Sequence, residues 1–313
     1  MKFVIPGGSG QVGTILARAL HADEHDVVVL SRKPVAAPWR TAPWDGQSLG
    51  PWAAEIDGTD VVINLAGRSV NCRYTRANMD AIMDSRVDST RAVGEAIARA
   101  SRPPRLWLQA STATIYSHRF DAANDEFTGI IGGSEPGVPA YWKWSIDVAR
   151  AWEKTQADAN TPHTRKVAMR AAMVMSPDRG GIFDTLLRLV KLGLGGTAGS
   201  GRQYVSWVHE ADFVGAVRWI IEHEQLSGAV NIAAPDPLPY VEFMRALRRA
   251  AGVPIGLPAT EWMLKLGAIV MRTDVELILK SRRVISGRLM KDGFTFKFPE
   301  WESAARDLAM RQP

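Results

Sequence analysis

The fold turns on residues 2–20, KFVIPGGSGQVGTILARAL. Four apolar residues, KFVI (2–5), read as a buried strand, and Gln11 to His21 repeats its apolar positions at helical spacing through Val12, Ile15, Leu16, Ala19 and Leu20. Between them, IPGGSGQVG (5–13) satisfies G-x-G-x-x-G through Gly8, Gly10 and Gly13, and G-x-x-G-x-x-G through Gly7, Gly10 and Gly13. A glycine turn between a first strand and a first helix lets bare backbone approach a diphosphate, which then rests on the helix's positive end. Gly7, Ser9, Gly10, Gln11, Val12 and Gly13 are therefore the first expected cofactor contacts.

The second strand, DVVVLS (26–31), ends in LSRKP (30–34). An NAD site places an acidic residue here to bond the ribose 2′-OH; this chain offers Ser31, Arg32 and Lys33. Cations beside the adenosine ribose favour the additional phosphate of NADP(H), the cofactor expected here. The plainer alternative is that Arg32 ends a strand in solvent.

Outward from this unit, apolar runs alternate with helical patterns. Further strands are expected at DVVINLA (60–66), RLWLQAS (105–111), VAMRAAMVM (167–175) and AVNIAA (229–234), with long helices from Asn78 to Ala100 and Trp144 to Ala159. Strands this continuously apolar are covered on both faces. The expected fold is α/β: a Rossmann-type doubly wound parallel sheet with a smaller, mostly helical C-terminal substrate or lid domain. Because the Gly-rich stretch RLVKLGLGGTAGSGRQ (188–203) breaks the alternation, the expected boundaries are 1–176 plus 204–234 for the NADP-binding domain and 177–203 plus 235–313 for the lid.

Composition excludes several classes. With 46% hydrophobic and 23% charged residues, the 313-residue chain is expected to be globular. Its +5 net charge is scattered; the short clusters RALRR (245–249) and KSRR (280–283) read as solvated helix faces, so no nucleic-acid partner is expected. A single cysteine, Cys72, excludes an internal disulfide and a Cys-rich zinc site, and fits a reducing cytoplasm. No histidine pair has metal-ligand spacing, so no metal is expected. The greasiest late stretch, 261–279, is interrupted by Lys265, Arg272, Asp274 and Glu276, so no membrane span is expected.

The phrases GGSGQVG (7–13), NLAG (64–67), STATIY (111–116), RAAMVMSP (170–177) and WVHEAD (207–212), in that order, resemble the extended short-chain dehydrogenase/reductase superfamily. WDG (44–46), DSRVDSTRAV (84–93), GSGRQYVSWVHEADFVGAV (199–217) and SGRLMKDGFTFKFP (286–299) resemble its atypical nucleotide-sugar-epimerase-like (SDR39U1/YfcH-like) branch, over essentially the whole chain. The resemblance implies a cofactor loop at 64–67 that includes Leu65, Ala66 and Gly67. Leu65 and Ala66 would lie nearest the dinucleotide, and Asn64 and Gly67 would shape the loop. It also implies that Ser85 and Arg86 sit close by; a polar helix face is the alternative for that pair. The Gly-rich loop would border a substrate cleft, making Arg202 and Trp207 expected substrate contacts.

The superfamily's chemistry uses a Ser/Thr, a Tyr and a Lys four residues beyond the Tyr. The resemblance assigns Thr112 to the hydroxyl, with Ser111 beside it at a strand end, where ligands of open sheets bind. PAYWKWS (139–145) is the difficulty. Aligning on Pro139 and Tyr141 puts Ser145 at the lysine position; aligning on Trp152 and Glu153 puts Ser145 at the tyrosine position and Ala149 at the lysine position. Lys143, two residues after Tyr141, lies ~200° away around a helix. Tyr141 is read either as an acid/base with an ordinary phenol or as part of an aromatic wall with Trp142 and Trp144. Arg170 needs a buried partner or a substrate. His209 and Asp212 read as a helix cap and its hydrogen-bond partner.

These readings lead to an NADP(H)-dependent, epimerase-like oxidoreductase acting on a small carbonyl or sugar-nucleotide-like substrate, as monomer or homodimer. The alternative is an NADP(H)-binding sensor or assembly protein without turnover.

Overall fold

The computed structural model describes residues 1–33, 36–139, 141–259 and 276–312. In chain order the principal strands are β1 (Lys2–Pro6), β2 (Asp26–Ser31), β3 (Arg40–Pro43), β4 (Val61–Asn64), β5 (Leu106–Thr112) and β6 (Arg165–Ala171). They are followed by β7 (Met173–Met175), β8 (Tyr204–Val205), β9 (Trp207–His209), β10 (Gly228–Ile232) and β11 (Leu238–Pro239). Seven form one sheet in the order β10-β6-β5-β4-β1-β2-β3, and each neighbouring pair is parallel. The order reverses beside β1, so its C-terminal edge is the crevice where doubly wound sheets bind ligands.

Both faces are covered. On one, α1 (Gln11–Ala22) and α5 (Glu210–Glu222) bury Leu16, Leu20, Phe213 and Ile220 against Phe3, Ile5 and Val29. On the other, Val93 and Ile97 of α2 (Arg76–Arg99) pack with Trp107, Trp44 and Trp52, and α3 (Trp142–Asp158) lies beside α2.

Two expectations need correction. The edge strand β3, RTAP, was not expected from the sequence; none of its four residues is buried, so it carries no apolar signal. The run 167–175 is not one strand. It leaves the main sheet at Ala172, whose N–H is held by the Ile232 carbonyl, and β7 then pairs with β9 in a separate two-stranded sheet.

That small sheet belongs to a second core. Trp301 stacks on Phe243 at 4.1 Å and leans on Trp207 at 5.0 Å, with its N–H donated to the Phe243 carbonyl. Around it gather α4 (Ile182–Lys191), α6 (Tyr240–Ala250) and α9 (Trp301–Arg311). Met175, Val205 and Ala234 also join this core, so segments on both sides of the expected boundaries share it. Among the described residues, the short helices α7 (Glu276–Leu279) and α8 (Gly287–Lys291) come between α6 and α9. Most of the apolar stretch 261–279 lies outside the described residues. Among those described, no helix is long and apolar enough to cross a membrane.

Candidate active site

The glycine turn has three distinct demands. Gly7 has φ +72°, and a Cβ there would lie 2.6 Å from the Ala66 Cα. A Cβ at Gly13 would collide with the Gly8 backbone, so that glycine lets α1 pack onto the turn. At Gly10 the nearest atom to a Cβ is 3.8 Å away, which leaves the approach to the helix end open. Gly10 caps α1 without a side chain, and the first-turn N–H groups of Gln11, Val12 and Gly13 have no intrahelical partner. The Gln11 amide nitrogen is buried with no partner among the described residues, and it lies against Gly181, which caps α4. An unpaired donor at an open helix end fits an anion.

At the end of β2, Ser31 donates to Ser9 at 3.0 Å and accepts from the Lys33 N–H at 3.3 Å, tying the two turns together. Arg32 and Lys33 are exposed there, and no carboxylate among the described residues pairs with either. From β4, the Leu65 N–H bonds the Pro6 carbonyl, and the Ala66 N–H bonds Asn64 Oδ1, itself fixed through Gln109. Ser85 accepts from the Arg68 N–H at 2.9 Å. Arg86 packs against Gly67, stacks over Trp152 at 4.8 Å and bonds the Arg68 carbonyl. Burial pushes Arg86 down to about 10, which still leaves it charged at neutral pH. These contacts join the glycine turn to the end of β2 and to the 65–67 loop, and that loop to Ser85 and Arg86 of α2.

The expected catalytic group is more divided. Thr112 Oγ1 accepts the Thr114 N–H at 3.1 Å, capping a one-turn 3-10 helix (Ala113–Ile115). Its own proton is donated to nothing among the described residues. The neighbouring Ser111 hydroxyl is committed to Glu153 at 2.6 Å. Glu153 grips Arg170 through two 2.8 Å bonds, and Arg170 reaches Tyr116 Oη at 3.0 Å, which donates to Asn231. Burial opposes the charge of Arg170, but Glu153 and Tyr116 outweigh it and hold the guanidinium above its usual range. Arg170 is thus a structural ion pair.

Tyr141 is 40% exposed and already helical at φ −70°, ψ −17°, so Lys143 is turned away from it. Lys143 pairs with Asp147 at 2.8 and 2.6 Å. Ser145 donates to Glu276 at 2.6 Å. Beside these, a cavity of about 190 Å³ is walled by Glu135, Val138, Pro139, Trp142, Ile146 and Lys280.

Lys280 was missed. The KSRR cluster, expected to be a solvated helix face, instead turns inward: Lys280 is 2% exposed and Ser281 is buried. Its position next to acidic Glu276, one turn earlier, is a signal only in hindsight, since an i, i+4 pair is ordinary on any helix. RALRR does lie on α6, with Arg245 and Arg249 exposed.

The remaining expected residues scatter. Trp207 is fully buried in the second core, its N–H on the Asp236 carbonyl, so it packs rather than lining a cleft. Arg202 is exposed at the Gly-rich loop. His209 caps α5 through the Ala211 N–H, but its second ring nitrogen meets Asp307, not Asp212; Asp212 instead accepts the Lys297 and Phe298 N–H groups.

A parallel doubly wound sheet with a glycine turn at its first crossover defines a dinucleotide-binding protein of the Rossmann class. Residues 3–233 match the model of the NAD dependent epimerase/dehydratase family, and the chain belongs to that family. Residues 259–308 match a domain of unknown function, DUF1731. The chain is 30% identical to the epimerase family protein SDR39U1 of Bos taurus, covering 98% of this chain and 99% of that one. It is 28% identical to the epimerase family protein YfhF of Bacillus subtilis, over 98% of each. Human SDR39U1 (isoform 2), crystallised with NADPH, superposes with a TM-score of 0.86 at 27% identity, covering 99% of this chain and 100% of that one. A nucleoside-diphosphate sugar epimerase from Corynebacterium glutamicum superposes at 0.75 with 26% identity, covering 99% of this chain and 58% of that one.

Proposed function

We propose that this chain binds NADP(H) and acts as an epimerase-like oxidoreductase on a small carbonyl or sugar-nucleotide-like substrate. The observation that carries the reading is the end of β2: exposed Arg32 and Lys33, with Ser31 tied to Ser9 of the glycine turn. Gly10 and the open end of α1, with Gln11, would hold the diphosphate; Arg32 and Lys33 would take the 2′-phosphate. The 65–67 loop, Ser85 and Arg86 would line the rest. The NADPH in human SDR39U1 supports the same choice. When bound, the reduced nicotinamide supplies a hydride; Thr112 and Tyr141 would orient the receiving oxygen. Residues 177–203 and 235–313 would cover the substrate, with Arg202 at the rim. A reducing cytoplasm and a monomer or homodimer complete the reading.

Titration with both nucleotides tests it: NADPH should bind more tightly than NADH, and Arg32→Ala should erase most of the difference, about tenfold for one charge-assisted contact. Equal binding of the two nucleotides by the unaltered protein would remove the NADP assignment. One observation favours the reading without turnover: Lys143, two residues after Tyr141, is spent on Asp147.

A further inference from the structure

The C-terminal segment brings two cations, Lys280 and Arg282, against the turn that Thr112 caps, with Glu276 beside them. Lys280 Nζ donates to the Thr114 carbonyl at 3.0 Å and lies 3.8 Å from Glu276 Oε1. Arg282 Nε donates to Thr114 Oγ1 at 3.1 Å. Glu276, 1% exposed, accepts from Ser145. Lys280, Arg282 and Glu276 therefore lie together in a largely dry cluster, beside a cavity that Lys280 itself lines. Glu135, also on the cavity wall, is already engaged by the His118 and Gly133 N–H groups.

We propose that Lys280 is the proton-donating amine of this site, reaching through the cavity to the carbonyl oxygen of a small substrate whose reacting end lies between Trp142 and the Thr112 turn. This rests on the reading of the crevice as a reductase site and supplies what PAYWKWS lacks. Lys280 gives its proton to the carbonyl oxygen as a hydride from the reduced nicotinamide adds to the carbon. The N–H bond breaks with its electrons left on nitrogen, an O–H bond forms, and solvent returns the proton. Geometry restricts the substrate. The cavity has the volume of about six waters, so it takes the reacting end of a molecule, with apolar contacts from Val138, Pro139 and Ile146. Burial is the largest influence on the amine, pushing it down to about 8; Glu276 and Glu135 oppose the shift and Arg282 adds to it. Burial depresses the neighbouring His118, with Glu135 opposing and Lys280 and Arg282 adding to the shift, while Lys143, on the same wall, is neutralised by Asp147. An acid titrating near the working pH transfers protons efficiently.

The test is competitive acylation of the folded full-length protein with trace acetic anhydride from pH 6.5 to 10. Each lysine is read by peptide mass spectrometry, with exposed Lys154 as the internal reference. Lys280 is expected to acylate in the folded state with a midpoint near pH 8, and pyruvate, as a small carbonyl probe, to slow it several-fold. Lys280→Met should keep NADPH affinity within about twofold, since the phosphate crevice lies elsewhere. Labelling of Lys280 only after unfolding would make it a structural pillar and overturn the proposal, as would labelling at the reference residue's midpoint, or no protection by pyruvate. If NADPH fails to bind the unaltered protein while Lys280 labels as expected, the cofactor reading falls and the amine assignment does not.

Discussion

Gly13 and Lys280 show how much a single position decides. Gly13→Ala would drive a methyl into the Gly8 backbone, so it is expected to cost about 1–3 kcal/mol of stability, read by urea denaturation, and to abolish nucleotide binding. Lys280 acts through protonation. Its folded-state value near 8 lies below the ordinary 10.5, so between those values the unfolded chain binds the proton better and stability rises with pH. The cost of burying the charge is present in full below about 8. Wild type should therefore gain thermal stability on Lys280→Met as pH climbs from 8 to 10.5; a constant difference would show an ordinary amine. The glycine was legible from spacing alone. Lys280 was not, because a charged residue in a basic cluster carries no sign in the sequence of which way it faces.

At the scale of elements, strands announced themselves in proportion to their burial. β1, β2 and β4, apolar through their interiors, were evident, whereas half-exposed β3 was silent. The break at Ala172 was hidden because both β6 and β7 are apolar; periodicity cannot show that they join different sheets. The long contacts were equally unreadable: Ser145 to Glu276 and His209 to Asp307 span 131 and 98 residues. The cap on α5 gives an element-scale prediction. Burial keeps His209 below its ordinary value, although Asp307 opposes this. The unfolded chain therefore takes up the proton first, and stability should fall as pH drops below about 6.5. His209→Ala should cost about 1 kcal/mol at neutral pH in chemical denaturation and lose that acid sensitivity. Breaking the buried pair with Glu153→Gln should cost more, about 3 kcal/mol, because Arg170 keeps its charge without its partner.

Across the whole molecule, the sheet core and the Trp207–Phe243–Trp301 core are built from different sets of residues. The sheet positions the glycine turn, the end of β2 and Thr112; the Trp207–Phe243–Trp301 core gathers α4, α6 and α9 of the C-terminal half, while Lys280 reaches the Thr114 carbonyl and Glu276 accepts from Ser145 of α3. Trp301→Ala, which empties a fully buried indole, should cost about 3–5 kcal/mol and loosen that half. Nucleotide affinity should decline less than stability, since the glycine turn follows β1 of the sheet. The central claim is that positive charge beyond β2 selects a phosphorylated ribose. Calorimetric titration of wild type and Arg32→Ala with NADPH and NADH measures it most directly. Tighter NADPH binding by wild type, with the preference largely gone in the variant, is the predicted result; NADH bound as tightly as NADPH by wild type would contradict it.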